Sequence, residues 1–247
     1  MKTRDIAVSA ALLLSAAAGI WPAAAGEPRA VIELFTSQGC SSCPAADKLL
    51  GELSKDGSLI TLSLPVDYWD YLGWKDTLAL HGHSMRERAY ANARGDREVY
   101  TPQAVVNGVM QVVGSDKAAI EKAIAETHKK ASPLILPVTL ALADGKVTVN
   151  VPADADAQRK AEVWLCPIVH KISVAVERGE NSGRTLTYYN VVRDWLKLGD
   201  WNGAAKKFSM PLSEIPTDGI TSLAVFVQSG VSAKPGVMLG AAEIDLH

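Results

Sequence analysis

The chain has few cysteines: three in 247 residues, at positions 40, 43 and 166. An exported protein stapled by a disulfide framework normally spreads an even set along its length, so a framework of that kind is excluded. A strong charge of either sign is also missing, the formal net charge being −2. The basic pairs Lys129-Lys130 and Lys206-Lys207 stand alone rather than in patches, which leaves no electrostatic case for nucleic acid or anionic lipid as a partner. Internal repeats and low-complexity segments are absent. Long apolar runs are confined to residues 6–20, preceded by Lys2 and Arg4 and followed by Trp21-Pro22-Ala23-Ala24-Ala25. The run is short for a membrane span and ends in small residues, so residues 1–25 read as a secretory signal peptide cleaved after Ala25, with an uncleaved anchor as the alternative. No other stretch is long enough to span a bilayer. The expectation is a bacterial periplasmic or secreted protein with no membrane span after cleavage.

What the chain does have is Cys40-Ser41-Ser42-Cys43, placed between the apolar run Val31-Ile32-Glu33-Leu34-Phe35 and the helix-like Pro44-Ala45-Ala46-Asp47-Lys48-Leu49-Leu50. Two thiols three residues apart therefore fall where a strand turns into a helix. At a helix N-terminus, unpaired backbone N–H groups and the positive end of the helix dipole favour thiolate over thiol at the first cysteine. A thiolate is the attacking species in thiol–disulfide exchange, and a second cysteine one turn on can close back and release a bound partner. Zinc binding uses the same spacing but needs a second pair or nearby histidines, and none follows at suitable spacing. A purely structural disulfide is the remaining alternative.

The pattern along the chain divides in two. Strand, helix and strand are expected at 31–35, 44–53 and 59–66, then an aromatic segment from Asp67 to Trp74 and a helix near 77–93. A hairpin over 105–113 turns at Asn107-Gly108, and a helix capped by Ser115 or Asp116 follows. Residues 128–137 read as a linker. Beyond them the period becomes two: Val138, Leu140 and Leu142, a turn at Asp144-Gly145, then Val147, Val149 and Val151, with further strands at 163–176, 185–189, 208–212, 222–228 and 240–246. The expected division is 28–131 for an α/β domain and 134–247 for an all-β sandwich.

The order strand, Cys40-Ser41-Ser42-Cys43, helix, strand, helix, Thr101-Pro102, hairpin, helix resembles a thioredoxin-like domain with a helical insertion. More narrowly, the run from Glu33 to Pro44, with Val66-Asp67-Tyr68-Trp69-Asp70 and Tyr100-Thr101-Pro102-Gln103, resembles DUF1223, a bacterial family of exported proteins of unknown function placed among thioredoxin-like proteins. The resemblance implies a cis Pro102 beside the cysteine pair and a Thr101 whose backbone faces the thiols and a bound polypeptide. Ordinary thioredoxins carry Trp before the first cysteine and Gly-Pro between the two. This chain has Gly39 and Ser41-Ser42.

Other residues carry open alternatives. Trp69, Tyr71 and Trp74 form either a groove for polypeptide or the core of the inserted segment. Glu33 lies near the place where thioredoxins bury an acid beneath the disulfide, or else is exposed or bonded to backbone. His81-Gly82-His83 could suggest a metal, and separately Cys166 and His170 would share one face of a strand with soft-ligand spacing, although a cysteine on an apolar strand is more often a small core residue. Residues 177–184 read as a polar loop facing the first domain. The resulting expectation is a thiol–disulfide oxidoreductase acting on protein clients or small thiols. Cys40 is the nucleophile, Cys43 the resolving thiol, and Thr101 with Pro102 the substrate platform; no cofactor is needed beyond the pair. The alternative is a binding or assembly module, metal-handling or not, on the same fold.

Overall fold

A computed structural model of the protein describes residues 27–156, 159–216 and 219–246; the leader read at 1–25 lies outside them. The apolar runs at the start become β1 (Ala30–Thr36) and β2 (Leu59–Pro65), parallel neighbours buried along their whole length. Strands covered on both faces show continuous apolar runs rather than alternation. α1 (Cys43–Leu53) connects them, and Pro44 suits its first turn because a proline's fixed φ and missing N–H cost nothing there. A 3₁₀ turn (Asp70–Leu72) and α2 (His81–Arg94) precede the antiparallel hairpin of β3 (Gln103–Val106) and β4 (Met110–Val113). α3 (Lys117–Ala131) is capped by Asp116, which accepts the Ala119 N–H at 2.9 Å.

Asn107 and Gly108 take the positive φ expected of the hairpin turn, 52° and 72°. The turn spans three residues between Val106 and Met110 rather than two. Asn107 is drawn inside, where its Oδ1 accepts the Val31 N–H at 2.9 Å and its Nδ2 donates to Thr127 at 2.8 Å. Satisfying a buried amide outweighs the shorter turn.

The second half supplies β5 (Thr139–Ala143), β6 (Lys146–Val151), β7 (Ala161–Val176), β8 (Arg184–Val192), β9 (Leu196–Trp201), β10 (Lys206–Pro211), β11 (Ser222–Val231) and β12 (Lys234–Asp245). Asp144 and Gly145 turn β5 into β6, and Val147, Val149 and Val151 are the buried positions of the alternating return strand. β10, β6 and β5 form a three-stranded sheet. The other strands do not form a separate sheet. They extend the first one, in the order β12-β11-β7-β8-β2-β1-β3-β4, with β9 paired to β7. The linker-like composition near residue 132 marks the end of α3, while the sheet crosses from one half to the other through β8 and β2, parallel at Val191 and Ser63.

The main apolar layers pack on the faces of this sheet. On one face, Ile32 and Leu34 pack with Ala46, Leu49 and Leu50 of α1 and Ile120 and Ile124 of α3. On the other, Phe35, Leu62 and Leu64 join Tyr90 of α2 and Cys166, Ile168 and Phe226 from the second half. The small sheet packs Leu140, Val147 and Val149 against Val163, Leu165 and Val225. Each such fully buried large side chain contributes about 1.5–3 kcal/mol.

Cys166 lies wholly inside the shared core, and its burial pushes its thiol well above the usual range. We expect a thiol-alkylating reagent to leave Cys166 unmodified in the native protein and to label it only on unfolding, read by mass spectrometry. Rapid native labelling would contradict this placement.

Candidate functional site

Cys40 and Cys43 are joined as a disulfide at the start of α1. The loop before them has no regular structure and is held by side chains from elsewhere. Asp76 accepts the Gln38 N–H at 2.7 Å as well as the N–H groups of Leu78 and Ala79. Trp74 Nε1 donates to Gln38 Oε1 at 2.7 Å, and Gln38 Nε2 donates to Thr77. Asp76 is itself buried, and the desolvation raises its pKa despite these three donors. Both cysteines are enclosed: Cys40 is 2% exposed and Cys43 0%. Cys40, the sulfur expected to attack, is therefore enclosed in the disulfide form. Two other segments cover it.

One cover is the aromatic segment. Thr101–Pro102 is a cis peptide, and Cys40 Sγ lies 3.7 Å from the Thr101 carbonyl oxygen. Trp69 Nε1 donates to Thr101 Oγ1 at 2.8 Å, so the inserted segment fixes the residue beside the disulfide. Tyr68 and Trp69 pack against the core, whereas Tyr71, stacked on Trp69 with ring centroids 6.3 Å apart, is 77% exposed. Core and surface roles are thus divided between neighbouring residues. Glu87 of α2 accepts the Tyr100 N–H at 3.2 Å and the Tyr68 hydroxyl, and burial pushes its pKa up to about 7.

The other cover is the loop between β7 and β8. Asn181, fully buried, donates from Nδ2 to the carbonyls of Gln38 (3.0 Å) and Cys40 (2.9 Å) and accepts from Arg184 at 2.7 Å. Glu180 accepts the backbone N–H of Ser41, between the cysteines, at 3.2 Å. The loop read at 177–184 does face the first half. Ser42 Oγ lies 3.4 Å from Cys40 Sγ. In a disulfide the sulfur has no proton, so the hydroxyl is the donor.

The acid buried beside this loop is Asp47. Its position, four residues after Cys43 and three before Leu50 on the buried stripe of α1, sets it against β1, where Thr36 Oγ1 donates to its Oδ1 at 2.7 Å. Oδ2 is buried with no hydrogen-bond partner among the described residues. Burial, with a smaller contribution from Asp76, pushes its pKa up to about 8. Glu33 belongs elsewhere. Alternation along β1 turns it to the opposite face from Ile32 and Leu34, where it pairs with Arg86 Nε at 2.6 Å and accepts the Tyr90 hydroxyl. Arg86 also donates to Gln228 and lies 4.1 Å over the Trp195 ring.

The histidines and Cys166 do not converge. His83 is buried against the Pro65 carbonyl, and its pKa is pushed down to about 4 by that burial. His81 pairs with Asp67 at 2.8 Å, and His170 lies 3.3 Å from Asp245 while Cys166 is in the core. Among the described residues, no three His, Cys, Asp or Glu side chains gather as a metal site. Sequence reasoning missed Asp47, Asp76, Glu180 and Asn181. An acid on the apolar stripe of α1 was the one available signal, and it singles out Asp47.

A crystal structure of a protein from Agrobacterium tumefaciens is similar to this chain, with 32% identity, a TM-score of 0.78, and coverage of 88% of this chain and 94% of that one. HBP35 of Porphyromonas gingivalis shares the fold at 14% identity, with a TM-score of 0.58 over 89% of this chain and 76% of its own. No curated protein matches. Residues 31–228, which include the cysteine pair, Thr101-Pro102 and the loop that covers them, match the family described as protein of unknown function, DUF1223, and the chain belongs to that family.

Proposed function

We propose that the protein is an exported thiol–disulfide oxidoreductase working through Cys40 and Cys43 on protein clients or small thiols. The observation that carries this reading is the disulfide at the N-terminus of α1 with the Thr101 carbonyl 3.7 Å from Cys40 Sγ, beside a cis Pro102. The strand order β2-β1-β3-β4 and the element order through α3 support a thioredoxin-like first half. Residues 28–131 would then be the redox unit, with the strands of 134–247 extending its sheet and the loop between β7 and β8 completing the site.

In the oxidising direction, a client thiolate attacks Cys40 Sγ. The Cys40–Cys43 bond breaks, its electron pair leaves with Cys43 Sγ, and a client–Cys40 mixed disulfide forms. A second client thiol then attacks its own chain's sulfur in that bond, leaving Cys40 reduced and the client oxidised; the reverse sequence reduces a client. The leaving Cys43 sulfur needs a proton. Asp47, one helical turn along and held neutral by burial at pH 7, has that proton to give, and the Ser42 hydroxyl donates to Cys40 as its charge develops. Thr101, fixed by Trp69, offers its backbone to the client.

The second reading, a binding or assembly module with a structural disulfide, draws support from the near-complete enclosure of both cysteines. Trapping separates the two. Cys43→Ser should accumulate reducible mixed disulfides with client proteins on non-reducing gels, and Cys40→Ser should not; adducts on neither variant, or on Cys40→Ser alone, would sink the catalytic assignment.

Asp47 yields an independent expectation. Because its folded pKa is raised, the unfolded chain loses this proton near pH 4 while the folded protein keeps it to about pH 8. Its contribution to stability therefore falls as pH rises through that window. Asp47→Asn should raise Tm by about 5 °C or more at pH 8, with the gain fading toward pH 4. The same variant should slow reduction of the disulfide by a dithiol roughly tenfold or more. A Tm difference independent of pH would contradict a buried neutral acid.

A further inference from the structure

Glu180 is the feature of this site that helix-terminus chemistry alone does not explain. It lies 139 positions from Ser41 in sequence, yet accepts that residue's N–H at 3.2 Å. Its loop is not free to drift. Gly179 and Gly183 each take φ of +77°, the Ser182 N–H donates to the Gly179 carbonyl, and the Gly183 N–H donates to the Val176 carbonyl, closing the turn between β7 and β8. Ser182 Oγ donates to the Glu177 carbonyl at 2.8 Å. Asn181, next to Glu180, is bolted by two hydrogen bonds to the cysteine loop and by a third to Arg184. The carboxylate is thus delivered to one place, over the backbone between the two sulfurs.

That backbone is where a reduced Cys40 would find its stabilisation. N–H groups at the start of α1 and the Ser42 hydroxyl favour a thiolate. Glu180 opposes this stabilisation, because it occupies the Ser41 N–H and brings a negative charge to the backbone between the two cysteines. Resting on the exchange reading above, we infer that Glu180 is a positioning residue that disfavours the Cys40 thiolate and so biases the couple toward its disulfide. The effect runs through the reduced state: an oxidised sulfur carries no charge to repel, a thiolate does. When two molecules of glutathione reduce the protein, the first attacks Cys40 Sγ and Cys43 leaves with the electron pair. The second attacks the glutathione sulfur of the mixed disulfide, releasing Cys40 as thiolate and forming oxidised glutathione. Glu180 raises the free energy of that released thiolate.

The test begins with full-length Cys43→Ser protein, in which Cys40 titrates alone because the buried Cys166 thiol stays protonated. Adding Glu180→Gln keeps an acceptor for Ser41 while removing the charge. Thiolate absorbance at 240 nm against pH should show the Cys40 pKa falling by about half a unit. Glu177→Gln, the same change of charge on the same loop without the bond to Ser41, should move it much less. With both cysteines present, Glu180→Gln should shift the glutathione equilibrium about threefold toward the dithiol, following the pKa. An unchanged or raised pKa in Glu180→Gln, or equal shifts in Glu177→Gln and Glu180→Gln, would overturn the inference. The titration does not depend on clients: a normal Glu180 shift together with no trapped adducts would uphold the tuning and reject the catalytic reading alone.

Discussion

The pairing of β8 beside β2 is the constraint on which the rest of the architecture depends. It is a narrow joint, parallel at Val191 and Ser63, with Asn190 Nδ2 donating to Thr61 Oγ1 at 3.0 Å. Its closeness is set by α1 as well. A Cβ on Gly51 would lie 2.4 Å from the Tyr189 ring, so only glycine lets β8 approach the helix that carries the cysteines. Through this joint the second half of the chain becomes part of the sheet beneath the disulfide, and the turn at the far end of β8 reaches over the Ser41 backbone. If β8 were displaced, Glu180 and Asn181 would lose their partners before any residue of the first half had moved.

The cysteine loop shows how such a joint is used. An irregular segment buried in protein must place every N–H and carbonyl, because an unpaired buried polar group costs about 1–3 kcal/mol. Here the partners come from three separate stretches: Asp76, Trp74 and Thr77 from the inserted segment, Ser37 from within the loop, and Asn181 with Glu180 from the second half. Removing any one stretch leaves donors or acceptors stranded around the disulfide. The inserted segment is therefore as much a scaffold for residues 37–42 as a wall beside them, and Trp69 extends the same scaffolding to Thr101.

Much of the local structure was legible in the sequence, and the reason is that its causes are local. A proline after Cys43, an Asp at the head of α3, Asn107-Gly108 and Asp144-Gly145 at turns, and valines two apart in β6 each act within a few residues. The long-range relations left no such mark. Linker-like composition near residue 132 could not reveal that β8 returns to β2, because pairing across 128 positions depends on shape rather than on any nearby residue. The same blindness affected the acids. Glu33 stood in an apolar run next to the cysteines and drew attention, yet strand alternation sends it to Arg86 on the other face. Asp47 gives itself away only through its place on the helix stripe with Cys43, Ala46 and Leu50. Glu180 and Asn181 lie in a polar glycine-rich loop whose destination is a tertiary fact.

Two carboxyl groups, one on α1 and one held to the Ser41 backbone, have opposite surroundings, and that difference organises the proposed chemistry. Asp47 is buried, its pKa pushed up to about 8, so near neutral pH it is an acid with a proton and no charge. Glu180 is exposed and accepts the Ser41 N–H, so it brings a surface carboxylate to the backbone between the cysteines. Exchange at a dithiol needs both kinds of control: a proton for the sulfur that leaves, and a field that sets how readily the other sulfur holds a negative charge. Burying one acid and leaving the other at the surface separates those controls, since the same group cannot be neutral and charged at one pH. Above about pH 8 the separation fails, because Asp47 then ionises, no longer protonates Cys43, and adds its charge to that of Glu180. Both changes oppose reduction of the bond, since the departing Cys43 sulfur loses its proton source and the added charge disfavours a thiolate beside it, so on this arrangement the protein's own charge favours the disulfide under alkaline conditions.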